Sequence, residues 1–227
     1  MLRRVLWLVV LLTAPVRAAE LDICFNYGCQ NEARVSFEDS LIERQVTYVQ
    51  QAGSAQDERR RLAEVVGLLY REAGRQSPIH ADRKGDYLDE GVYGKMDCID
   101  HSESTTRMLA MLEASGAMRF HRLIGQQRRS FLIFQHFSAA LEELEVPLAR
   151  PASVDPVADY VPYLLVLCDC EDLIAKQGTD MEKTSAVAGR SVELPRFVID
   201  SWFVEHGEPA VILPLGAWLG GEGPNVQ

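Results

Sequence analysis

The chain has 227 residues, 47% of them hydrophobic, which is enough for one domain with a full core and argues against an intrinsically disordered protein. Its formal charge of −10 argues against holding nucleic acid or anionic lipid by bulk electrostatics.

Residues 1–18 read as a signal peptide. Arg3 and Arg4 precede an apolar run from Val5 to Leu12, and Pro15-Val16-Arg17-Ala18 supplies a small-residue cleavage pattern, so cleavage is expected after Ala18. The apolar run is too short to span a bilayer, and Asp22 and Ile23 stand before Cys24 where a lipidation signal wants small residues. No second membrane-spanning segment is expected after it. The expected product is periplasmic or secreted, with no stable membrane anchor once the signal is removed.

Export permits disulfides, and the chain carries five cysteines: Cys24, Cys29, Cys98, Cys168 and Cys170. Cys24 and Cys29 bracket the turn-like Phe-Asn-Tyr-Gly and are candidates for a small closed loop. The odd count leaves at least one thiol free or paired between chains, and if Cys24 joins Cys29 that thiol is one of the other three.

Residues 19–55 are expected to be an extended arm, to about residue 37, and a first helix from about Asp39 to Gln51. A second helix is expected from about Gln56 to Ala73, with Leu62, Val65, Val66, Leu69 and Tyr70 on one face and Gly74 as its C-cap. Ser77 to Gly94 reads as a long polar loop containing His80 and Tyr87. A third helix is expected from Cys98 to Ser115, stopped by Gly116. Met118–Ile124 and Ser130–His136 read as two antiparallel strands around a polar turn at Gln126–Arg129, whose arginines are expected to be solvated. Phe137–Leu144 reads as a short segment with helical character. Residues 145–192, rich in Pro, Ala, Asp and Ser, read as an insertion into a main domain spanning 56–219. Strands are expected at Arg196–Phe203 and Ala210–Leu213, then a closing turn at 214–219 and a loose tail at 220–227.

The chemistry centres on Met96-Asp97-Cys98-Ile99-Asp100-His101. A cysteine at a loop-to-helix junction meets backbone N–H groups and the positive end of the helix dipole, both of which favour a thiolate. A cysteine nucleophile also needs a base and a group to orient that base. His136, at the end of a hairpin strand, and Asp200, on the late strand, are the candidates. Asp100 suits a first helical turn, and His101 lies one turn past Cys98, so both are supporting candidates. The Cys98 N–H and Gln135 are candidate oxyanion donors, along with a side chain from the Tyr87–Tyr93 loop. No metal site or cofactor is expected, because the chain lacks a C-x-x-C pair and an H-E-x-x-H helix. His80, His121 and His206 have no neighbours in sequence that mark them as ligands. Cys168-Asp-Cys170 also looks like a helix start, but its only later histidine is His206, so Cys98 is preferred.

With MDCID opening a helix, FLIFQHF and RFVIDSWF in that order, the chain resembles the transglutaminase-like superfamily, the circularly rearranged relatives of papain-type cysteine peptidases. The resemblance covers roughly residues 60 to 215. It implies an α+β fold with a Cys-bearing helix on an antiparallel sheet. It also implies Cys98 as nucleophile, His136 as base, Asp200 as the orienting acid, and an amide or ester substrate of peptide, protein or cell-wall origin. The long gap between His136 and Asp200 departs from the family pattern, and the insertion accounts for it. The other reading is a catalytically inactive envelope binding or assembly module on the same fold.

Overall fold

A computed structural model describes residues 18–85, 91–132, 134–145 and 193–224. The signal-peptide reading of residues 1–17, Tyr87, Cys168, Cys170 and nearly all of the insertion lie outside the described residues. The chain divides into two units, Met1–Glu143 with Arg196–Gln227, and Leu144–Pro195. Cys98, His136 and Asp200 all belong to the first unit. Among the described residues no helix is long and apolar enough to cross a membrane.

This first unit is mixed helix and strand, with two antiparallel sheets, so the α+β class holds. The arm expected at residues 19–37 is extended but does not run alone. It folds as a hairpin of β1 (Ala18–Phe25) and β2 (Asn31–Glu38), closed by a Cys24–Cys29 disulfide. Ile23, Phe25, Val35 and Phe37 alternate along these strands and enter the main core. Helices α1 (Asp39–Gln50) and α2 (Ala55–Gln76) follow. Ser54 caps α2, its hydroxyl accepting from the Asp57 N–H at 3.1 Å. The stripe predicted on α2 (Leu62, Val65, Val66, Leu69 and Tyr70) is buried. Gly74 does not end α2. It sits inside the helix where a Cβ would collide with the His206 ring, so close packing explains the glycine.

Helix α3 (Cys98–Ala114) buries Met108, Leu109 and Leu112 and lies against the main sheet. That sheet has the order β3 (His121–Phe131), β4 (Phe134–Glu143), β5 (Arg196–Asp200), β6 (Val211–Pro214), all antiparallel, and ends in a short helix, α4 (Leu215–Leu219). Several boundaries differ from the sequence reading: the strand expected at Arg196–Phe203 stops at Asp200, the one expected from Met118 starts at His121, and two further differences bear on the site. Gln126–Arg129 is strand, not turn, and β3 runs on to Phe131 past a bulge between Leu123 and Gly125. The polar residues there lie on an edge strand, where exposed polar side chains imitate a turn. Phe137–Leu144 is β4 rather than helix as far as Glu143. Its small residues Ser138, Ala139 and Ala140 are buried, so packing outweighs their weak strand propensity. His136 therefore sits near the start of β4, not at the end of a strand.

The start of α3 is fixed from outside the helix. Asp97 and Asp100 form a capping box, with the Asp97 carboxylate accepting from the N–H groups of Ile99 (3.0 Å) and Asp100 (2.9 Å). The same two acids also bind the hairpin turn. Asn26, Tyr27, Gly28 and Cys29 all have positive φ, which turns successive N–H groups to one side as a nest. Tyr27 N–H donates to Asp100 at 2.8 Å, Cys29 N–H to Asp100 at 2.6 Å, and Gly28 N–H to Asp97 at 2.9 Å. Burial, with the Asp97 charge beside it, raises the Asp100 pKa to about 6. Asp100 is thus the structural acid of the first turn. An Asp100→Ala variant leaves the Tyr27 and Cys29 amides without their acceptor, while Gly28 keeps Asp97. It should lose about 2 kcal/mol of unfolding free energy by denaturant titration, and an unchanged midpoint would contradict this bracing role.

Candidate functional site

The first position of α3 places Cys98 on the wall of a cavity of about 430 Å³ that His136 and Gln135 also line. Cys98 is half-buried, and its Sγ lies 3.8 Å from the Gln135 carbonyl oxygen. Among the described cysteines it is the one outside the disulfide.

His136 is buried, and its Nε2 lies 2.7 Å from Asp200 Oδ2. That engagement leaves Nδ1 as the ring nitrogen that Asp200 does not hold. Three aromatic rings hold the imidazole, with centroids at 4.7 Å for Trp202, 5.3 Å for Phe203 and 5.6 Å for Trp218. The Asp200 carboxylate is buried and receives two further donors. Trp218 Nε1–H donates to Oδ2 at 3.0 Å, and the Trp202 N–H donates to Oδ1 at 3.3 Å. The structure thus joins His136 to Asp200 across the gap of the insertion and puts Cys98 on the same cavity as His136.

His101 does not line this cavity. It is buried behind it, with Nδ1 2.9 Å from Ser201 Oγ and Nε2 3.1 Å from Asp82 Oδ2. Ser201 Oγ lies 2.9 Å from Thr105 Oγ1, which lies 3.0 Å from the Tyr70 hydroxyl. This network backs the end of β5 immediately after Asp200, so His101 supports the site through Ser201. His121 has a partner that its sequence surroundings hid, Glu58 at 2.8 Å, which also accepts from the N–H groups of Arg119 and Phe120 ahead of β3. Cys24, Cys29 and Glu32 approach one another closely enough for metal ligation, but the two sulfurs are joined as the disulfide.

Sequence reasoning misses three site residues. Trp218 falls in a segment that reads as a closing turn, and Trp202 reads only as a neighbour of Asp200. The one signal is chemical, since a buried indole N–H needs an acceptor. Arg129, expected to be solvated, is the third. It lines the cavity, and its Nη1 donates to the carbonyls of Trp218 (2.7 Å) and Glu222 (2.8 Å).

Searches of protein-family models, curated proteins and solved structures find no match to this chain.

Burial pulls the His101 pKa down, but the charge and hydrogen bond of Asp82, with Asp200 and Asp100 beyond, outweigh it and hold the ring above its usual 6.5. A raised folded-state pKa means the folded protein binds the proton more tightly than the unfolded chain. The resulting stabilisation is full below pH 6.5 and is lost as pH rises through the folded value. The stability gap between wild type and His101→Asn should therefore narrow above about pH 6.5 in denaturant titrations. Parallel stability-against-pH curves would show that His101 does not carry this linkage.

Proposed function

We propose that the protein is an exported thiol-dependent hydrolase or acyltransferase of transglutaminase-like type, acting on an amide or ester through Cys98, His136 and Asp200. The observation that carries this reading is a buried His–Asp pair, at 2.7 Å, whose histidine shares a cavity with a cysteine at a helix N-terminus. Asp200 holds the ring by Nε2, and His136 Nδ1 takes the Cys98 proton. The thiolate attacks the acyl carbon and forms a tetrahedral oxyanion, with the Cys98 N–H and the Gln135 side-chain amide as its donors. Collapse of this intermediate expels the amine or alcohol, which takes the proton from His136, and leaves a thioester. Water or a second amine then attacks the thioester, delivers its proton to His136 and restores the thiol. Peptide, protein or cell-wall material is the proposed substrate. Periplasmic or secreted placement rests on the leader pattern of residues 1–18 and fits the Cys24–Cys29 disulfide.

A second reading, a catalytically inactive envelope binding or assembly module on the same fold, has one observation behind it. The group at 3.8 Å from Sγ is a carbonyl oxygen, which suits a thiol S–H better than a thiolate. The two readings separate on reactivity. Mapped by peptide mass spectrometry at pH 7, Cys98 of the folded protein should react with iodoacetamide faster than the same thiol in denaturant. His136→Ala should slow it at least about tenfold, and Cys98→Ser should abolish turnover of any substrate found. Labelling no faster than in denaturant would favour the inactive module.

A further inference from the structure

Arg129 is the cation of the candidate cavity and has no catalytic assignment. The strand register pairs it directly with His136, so the two side chains leave the same face of the β3–β4 ladder and line the same cavity. The guanidinium is held firmly. Its Nη1 donates to the Trp218 and Glu222 carbonyls, and its carbon lies 4.9 Å from the Trp218 ring centre and 5.9 Å from that of Phe203. These contacts use one nitrogen of the fork. Among the described residues Arg129 forms no ion pair, and no acidic side chain lines the cavity. The nearby carboxylate, Asp200, is already committed to His136, Trp218 and Trp202. Arg129 is half-buried, and a preorganised fork matches a carboxylate in two-point geometry. Burial also draws the Arg129 pKa down, which an incoming anion would reverse. On a chain with a formal charge of −10, this is a local positive site beside the candidate nucleophile.

We propose that Arg129 is an anion subsite, and that the substrate is a peptide carrying a carboxylate next to the acyl group attacked by Cys98. Phe134 and Leu219, which also line the cavity, supply an apolar wall for the same residue of the substrate. The inference rests on Cys98 facing this cavity as nucleophile and adds the substrate class to that reading. The carboxylate is either a free peptide C-terminus or an acidic side chain.

The test compares two alkylating agents of nearly equal size on Cys98 of the full chain. In both, the sulfur displaces iodide and forms one S–C bond. Iodoacetate carries a carboxylate and iodoacetamide does not. The ratio of the iodoacetate rate to the iodoacetamide rate should fall about tenfold in Arg129→Gln, roughly what one charge-assisted hydrogen bond is worth. Arg129→Lys keeps the charge but not the fork, and its ratio should fall less than that of Arg129→Gln. An unchanged ratio in Arg129→Gln, or an equal fall in both variants, would overturn the subsite, since a purely structural arginine is lost equally in both. The absolute iodoacetamide rate reports separately on the nucleophile, and the ratio remains measurable if that rate is slow. The carboxylate source is read by protecting Cys98 from iodoacetamide with N-acetyl-dialanine, N-acetyl-aspartyl-alanine amide or the neutral N-acetyl-dialanine amide. Stronger protection by either acid, lost in Arg129→Gln, supports the subsite and names the source. Equal protection by all three peptides contradicts it.

Discussion

The buried carboxylate of Asp200 is the constraint on which the site depends. A carboxylate taken out of water is costly unless donors replace the lost hydration. Asp200 obtains them from three parts of the chain: His136 on β4, the Trp202 N–H just past β5, and the Trp218 indole on α4. Satisfying one charge therefore pins the C-terminal helix to the sheet and fixes the plane of the imidazole. The aromatic rings around His136 complete the arrangement by excluding water and alternative rotamers. Breaking such a pair from one side typically costs several kcal/mol, because the remaining charge is stranded.

The second half of the site is built by the same logic from the N-terminal side. Asp97 and Asp100 serve at once as helix caps and as acceptors for the nest of amides in the Cys24–Cys29 hairpin. The hairpin far away in sequence thus sets where α3 begins, and so where Cys98 stands. Behind both halves, the chain of Asp82, His101, Ser201, Thr105 and Tyr70 ties α3 and α2 to the end of β5. The candidate nucleophile and the His–Asp pair are carried on separate elements that this buried network couples.

Periodicity makes α2 and α3 legible, because each carries an apolar stripe. The candidate residues Cys98, His136 and Asp200 are legible from residue type and order, although what joins His136 to Asp200 is tertiary and leaves no local trace. Strand pairing is less legible. The reversal near Leu132 is hidden by a polar edge strand, and β4 by a run of small residues that only burial makes a strand. The roles of Trp218 and Arg129 depend on where α4 lands against the sheet. No local pattern around Gly216 or Gln127 encodes that landing, so in sequence the two look like a turn residue and a surface charge.

The central claim is that Cys98 is a nucleophile whose proton goes to His136. Acyl transfer from p-nitrophenyl acetate tests it most directly. The sulfur displaces p-nitrophenolate and leaves an acetyl thioester that mass spectrometry locates on Cys98. The account predicts acetylation of Cys98 in the folded wild type, slowed at least about a hundredfold in His136→Ala. Acetylation at the rate of the unfolded chain, or a rate indifferent to His136→Ala, would contradict it.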